Sequence, residues 1–260
     1  MIGLFALAAA GAASCPKVVG ADRLWAKPET QWVMIGEMHG TAEMPAFFGD
    51  LVCQAAANSG RPATVALEQD AEMQPAIDAF LASDGGAAAR SAFLKAPMWS
   101  EQDGRASQAM LALYDRLRLM KQAGRIRAVY AFIPRTPART NGPHNAAMAS
   151  RLQEVAAGRK DIVLAYMGSV HAAKSSMGQG ANAFLPAAAD LPPERTVSVY
   201  LDSNGGEAWN CMADSCAPHP METRDAKRGF ASADGLPWRY DWVFELGSKA
   251  SASPPVNPAN

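Results

Sequence analysis

Histidine and cysteine are scarce in this 260-residue chain, at four residues each, and neither sign of charge dominates: 24 Lys and Arg stand against 25 Asp and Glu, for a formal net charge of -1. With no basic stripe and no acidic tail, the charge pattern supports no nucleic-acid partner. The apolar run at the start, Met1 to Ala12, is too short to span a bilayer, so no transmembrane span is expected. A serine nucleophile elbow is missing as well. Met167-Gly168-Ser169-Val170-His171 lacks the second glycine of Gly-x-Ser-x-Gly, and Ser169 is read as structural. Nor does Gly178-Gln179-Gly180 continue into the spacing of a dinucleotide or phosphate loop. No repeat period stands out. What is present is a composition 49% apolar, enough for one sizeable core and a single α/β domain.

Residues 1–14 read as an export signal, with small residues at Ala10-Gly11-Ala12 where a signal peptidase would cut, although no Lys or Arg precedes Lys17. A periplasmic or secreted protein is the expectation. Cys15 is a candidate site for a lipid anchor, with Ala12 standing where a lipobox carries Leu. Cys211 and Cys216 lie five apart in the Gly/Asn/Asp-rich stretch Ser203 to Pro220, which reads as an irregular loop. An exported protein would oxidise them to a disulfide; zinc, with His219 nearby, is the competing reading. Cys53 falls on a helical apolar face and reads as a buried thiol.

Short β-rich runs, Trp32 to Gly36, Ala63 to Leu67, Ile126 to Ile133, Asp161 to Met167, Thr196 to Leu201 and Tyr240 to Leu246, alternate with helical patterns. Pro45 to Ser59, Met73 to Ser83, Ser107 to Ala123 and Asn145 to Ala157 carry apolar residues at helical spacing. This order predicts an α/β fold with a mainly parallel central sheet flanked by helices, spanning 22–247, followed by a disordered Ser/Pro/Ala-rich tail at 248–260.

In such sheets sites form at the carboxyl ends of strands, and three of those ends carry ionisable groups. The first ends in Gly36-Glu37-Met38-His39, the second in Glu68, and the fourth in Gly168-Ser169-Val170-His171. Gly-x-x-His thus occurs twice, with a glycine that lets the backbone turn sharply. The bland readings stand beside the functional ones. His39 could be a solvated helix-start residue, Glu68 a buried carboxylate paired with an arginine, and His171 a satisfied structural histidine. Glu43 could be a first-turn carboxylate favoured by the helix dipole. Arg135 suits either an anionic substrate group or a pair with Glu68. His144 and His219 lie in Pro-flanked loops and read as exposed.

The stretches Ile35 to Val52, Val65 to Gln69, Asn145 to Leu152 and Tyr166 to Ala172 resemble the superfamily that joins erythromycin esterases, ChaN-like haem-binding uptake proteins and the Tiki proteases. The likeness runs over roughly residues 30–175. One residue separates Glu37 from His39, as in the ChaN-like branch, where esterases usually have two; before Met148 this chain has Pro143-His144-Asn145, where esterases tend to carry Arg with an acidic residue. The resemblance implies that His39 is a general base for water, with Glu37, Glu43, Glu68 and His171 around it. The Tiki branch implies instead that such residues, here His39, Glu68 and His171, hold a divalent metal. The ChaN-like branch implies haem, although no Tyr here matches its haem contact. Physically, a histidine accepts a water proton near neutral pH, and two imidazoles with a carboxylate can also ligate Zn or Mn. The expectation is an exported hydrolase of a small-molecule ester or amide; the alternative is a non-catalytic haem- or metal-binding envelope protein.

Overall fold

The computed structural model describes residues 15–134, 140–212, 215–236 and 239–257. Its elements are β1 (Trp32–Glu37), α1 (Glu43–Asn58), β2 (Ala63–Asp70), α2 (Gln74–Ala82), α3 (Ala87–Phe93), α4 (Gln108–Gln122), β3 (Ile126–Ile133), α5 (Asn141–Ala156), β4 (Ile162–Gly168), α6 (Ser169–Ala172), β5 (Thr196–Asp202), β6 (Gly206–Cys211), β7 (Cys216–Met221), β8 (Gly229–Ser232) and β9 (Trp242–Glu245). A seven-stranded sheet runs β3-β2-β4-β1-β5-β9-β8, parallel throughout except that β8 is antiparallel to β9. The expected fold class is the one found.

β1, buried at all six positions, explains the architecture. Alternate side chains point to opposite faces of a strand, so a strand covered on both sides must be apolar throughout. Val33 and Ile35 join Phe47, Phe48 and Leu51 of α1 and Tyr114 of α4 in one core, while Trp32 and Met34 join Met148 and Leu152 of α5 in the other. The last expected strand is also present: β9 lies beside β5, and Phe244 stacks on Phe47 with ring centroids 4.1 Å apart.

Three expectations are corrected. Cys53 is not a free thiol but is bonded to Cys15. That disulfide and the lipid anchor considered at Cys15 are mutually exclusive states of one sulfur. Ser203 to Pro220 is not an irregular loop: β6 and β7 pair as an antiparallel hairpin with Cys211 opposite Cys216. Pro218 and Pro220 are tolerated because a two-stranded ribbon leaves one side of each strand without a ladder to complete. The Cys211–Cys216 disulfide occupies both sulfurs and removes the zinc reading. The tail, finally, is tied to the domain by main-chain bonds. Ala42 N–H donates to Ser251, Ser253 N–H to Gly40, Gln108 N–H to Pro254 and Val256 N–H to Ala106. These are main-chain bonds, to which Ser/Pro/Ala composition is blind. The export signal expected at 1–14 and Arg135 lie outside the described residues. Among the described residues no helix is long and apolar enough to cross a membrane.

Candidate active site

The strand order β2-β4-β1 places three carboxyl ends side by side, with Glu37 level with Gly168 and Leu67 level with Tyr166. Side chains at these ends therefore share one rim. Both glycines of the repeated motif are needed for closeness rather than for an unusual turn, since neither has a positive φ. A methyl group on Gly168 would lie 3.2 Å from His39 Nε2 and 3.6 Å from Glu68 Oε2; one on Gly36 would meet Ala172 Cβ at 2.8 Å. Gly36 thus admits α6, the short turn that carries His171.

The structure brings Glu37, His39, Glu68 and His171 together. His39 Nδ1 donates to Glu37 Oε1 in a close bond, while its Nε2 lies 3.7 Å from Glu68 Oε1. His171 Nε2 lies 3.7 Å from the same oxygen. The other oxygen of Glu68 accepts the Gly168 N–H at 2.6 Å. Side-chain exposures of 26% for His39 and 18% for His171, against 2% and 8% for Glu37 and Glu68, put the imidazoles at the surface of the rim and the carboxylates beneath them. Glu43 does not join them as expected. Its Oε2 accepts the backbone N–H of Ser251, so this first-turn carboxylate anchors the tail.

Sequence reasoning missed Asn145, which is wholly buried near the start of α5. Its amide orientation is set by two backbone groups: Nδ2 donates to Asn141 O at 2.8 Å, and Oδ1 accepts from Ala187 N–H at 3.0 Å. An acceptor oxygen therefore faces His171 Nδ1 at 2.8 Å. The proton of neutral His171 must then sit on Nδ1, leaving the Nε2 lone pair toward Glu68. His144, read as exposed, is half-buried with its ring edge-on to His171 at 5.8 Å. The signal for both was the Pro143-His144-Asn145 departure in the third motif.

Electrostatics separates the two histidines. Burial opposes charge on His39, but Glu37 and Glu68 outweigh it and hold its pKa well above the ordinary value of 6.5. Burial lowers the pKa of His171; Glu68 opposes this, and His144, His39 and Arg105 reinforce it. For Glu68, burial favours the neutral acid, yet His39, His171 and Arg105 keep it ionised far below the usual carboxylate range. Burial and the Glu37 charge push Tyr166 well up, though its hydroxyl and Glu37 Oε2 make no hydrogen bond of normal geometry.

Two imidazoles and a carboxylate are suitable chemistry for a divalent metal, but among the described residues no group of three or more His, Cys, Asp or Glu is arranged to hold one. Both Nδ1 atoms and one Glu68 oxygen are committed within the protein. Haem finds no suitable tyrosine here either, because Tyr166 is 3% exposed with its ring 4.7 Å from Phe48.

An α/β sheet of this order, with its polar cluster on the carboxyl edge, places the chain in the fold of the erythromycin esterases. A mutant of the erythromycin esterase EreC in its open conformation superposes with a TM-score of 0.66 at 10% identity, covering 91% of this chain and 94% of that one. A succinoglycan biosynthesis protein gives 0.64 at 10% identity over 90% and 91%, and the type III effector HopBA1 gives 0.53 at 16% over 92% and 99%. No family model and no curated sequence matches the chain. At these identities the likeness is one of fold.

Proposed function

We propose that the protein is an exported hydrolase that cleaves an ester or amide bond in a small molecule, with His171 as general base and His39 as the cationic partner. The tautomer of His171, set through Asn145, carries this reading. It exchanges the roles expected from the motif resemblance. A histidine held protonated by two carboxylates cannot take a proton from water, whereas a neutral one with an open Nε2 can. In the first step His171 Nε2 takes a proton from water as the oxygen attacks the carbonyl carbon. The His39 imidazolium donates a hydrogen bond from Nε2 to the developing oxyanion, and Glu68 between the rings stabilises the standing charge on His39 and the imidazolium that forms at His171. Collapse of the intermediate expels the alcohol or amine, which receives a proton from His171. No step requires a metal. The two disulfides fit an oxidising, non-cytoplasmic location, which favours the periplasm or secretion.

The test is turnover on a panel of small esters and amides, with metal content measured on the same preparations. His171→Ala and His39→Ala should each lower kcat by about 10²-fold or more, the scale of a positioned acid or base. A chelator should leave the wild-type rate unchanged. Full activity in either variant, or loss of activity together with bound metal, would contradict the mechanism.

A further inference from the structure

A well-defined cavity lies away from the His/Glu cluster, at the opposite edge of the sheet. It measures about 550 Å³ and is formed where β1, β4 and β5 begin, by Gln31, Trp32, Arg159, Lys160 and Arg195 among others. A second cavity of about 240 Å³ shares Gln31, Arg159, Lys160 and Arg195 with it and adds Arg61. Four cations thus surround one continuous depression.

Among the described residues none of the four has a carboxylate partner. Each arginine is held by neutral groups instead. Arg195 donates to Gln31 Oε1 and lies over the Trp32 ring at 5.3 Å. Gln31 is itself oriented, because its Nε2 donates to Arg159 O at 3.2 Å and to Ala156 O at 3.4 Å. Arg159 Nη1 donates to Tyr130 OH at 2.8 Å, and Arg61 Nη1 to the carbonyls of Thr30 and Pro28. Arg61 Nη2 is buried with no hydrogen-bond partner. The acids at this edge do not balance them: Asp161 is engaged by Arg127 Nε and Thr64 Oγ1, and Glu29 forms no ion pair. Fixing guanidinium groups costs side-chain entropy and leaves mutual repulsion. Charges positioned in this way, with their counter-charge missing, fit an anion that is not part of the chain.

We infer that this cleft is a second binding site, for a small soluble polyanion whose phosphate-type oxygens engage Arg61, Arg159, Lys160 and Arg195. The forked donors of arginine match phosphate oxygens two at a time, and the cavity has room for more than a single phosphate group.

Titration calorimetry with inorganic pyrophosphate as the probe, at low ionic strength, tests this on the full exported chain. The wild type should bind at one saturable site. Arg159→Gln and Arg195→Gln, both at exposed positions, should each weaken binding about tenfold, the usual scale of a charge-assisted hydrogen bond, while thermal melting confirms that the variants fold. Lys160→Gln is the substitute should either fail to fold. Absence of saturable binding would overturn the inference, as would unchanged affinity in the double arginine variant. Co-sedimentation with phosphatidic acid vesicles without any pyrophosphate binding would overturn it too, since the phosphate recognised would then be a lipid headgroup.

Discussion

A single methyl group added at Gly168 would stand 3.2 Å from His39 Nε2, the atom that donates to the oxyanion in the proposed mechanism. Gly168→Ala should therefore lower kcat by about 10- to 100-fold through displacement of the imidazole, with thermal stability nearly unchanged, as shown by kinetics and melting on one preparation. A loss of stability matching the loss of activity would mean that the glycine serves the fold alone. Glu37, His39, Glu68 and His171 were legible in the sequence because each stands at or just beyond the end of an apolar run, and parallel strands deliver their ends to one edge. Asn145 was not, because its place depends on how α5 lies across the sheet. Glu43, which the motif resemblance put beside those four, keeps the other place read for it, in the first turn of α1, and meets Ser251, 208 residues away, a partner no local motif indicates.

Among elements, six of the seven sheet strands were legible; the antiparallel edge strand β8 and the segments that brace the site were not. Strands β1 to β5 announce themselves as apolar runs between turns. The β6–β7 hairpin and the tail are joined by main-chain bonds, which leave little trace in residue type. Both converge on the residue after His39: Trp209 N–H and Ser253 N–H donate to Gly40 O. Ending the chain at Gly247 would remove the Ser253 bond and the other main-chain bonds of the tail. At roughly 1 kcal/mol for each net hydrogen bond, a loss of several kcal/mol is expected, and turnover should fall as the support next to His39 loosens. Calorimetric unfolding of the truncated chain checks this. An unchanged melting temperature would mean that the tail merely lies on the surface.

Over the whole molecule, one sheet presents different chemistry at its two edges: a His/Glu rim where the strands end and an arginine-lined depression where they begin. The fold is shared with an erythromycin esterase, but 10% identity carries no mechanism across, so the mechanism rests on the roles of the two histidines. The pH dependence of kcat/KM tests those roles most directly. His171 must be neutral to act as base, and its pKa is lowered, so activity should rise along an acid limb centred below pH 6.5. Glu68 stays ionised far below that range and does not contribute to the limb. His39 must be protonated, and its pKa is raised, so activity should hold through neutrality and decline only well above pH 6.5. Asn145→Ala, which frees the His171 tautomer, should lower the plateau by about tenfold or more. The account predicts this broad bell. A profile that stays flat below pH 6.5 and rises only in the alkaline range, as His39 loses its proton, would make His39 the base and contradict it.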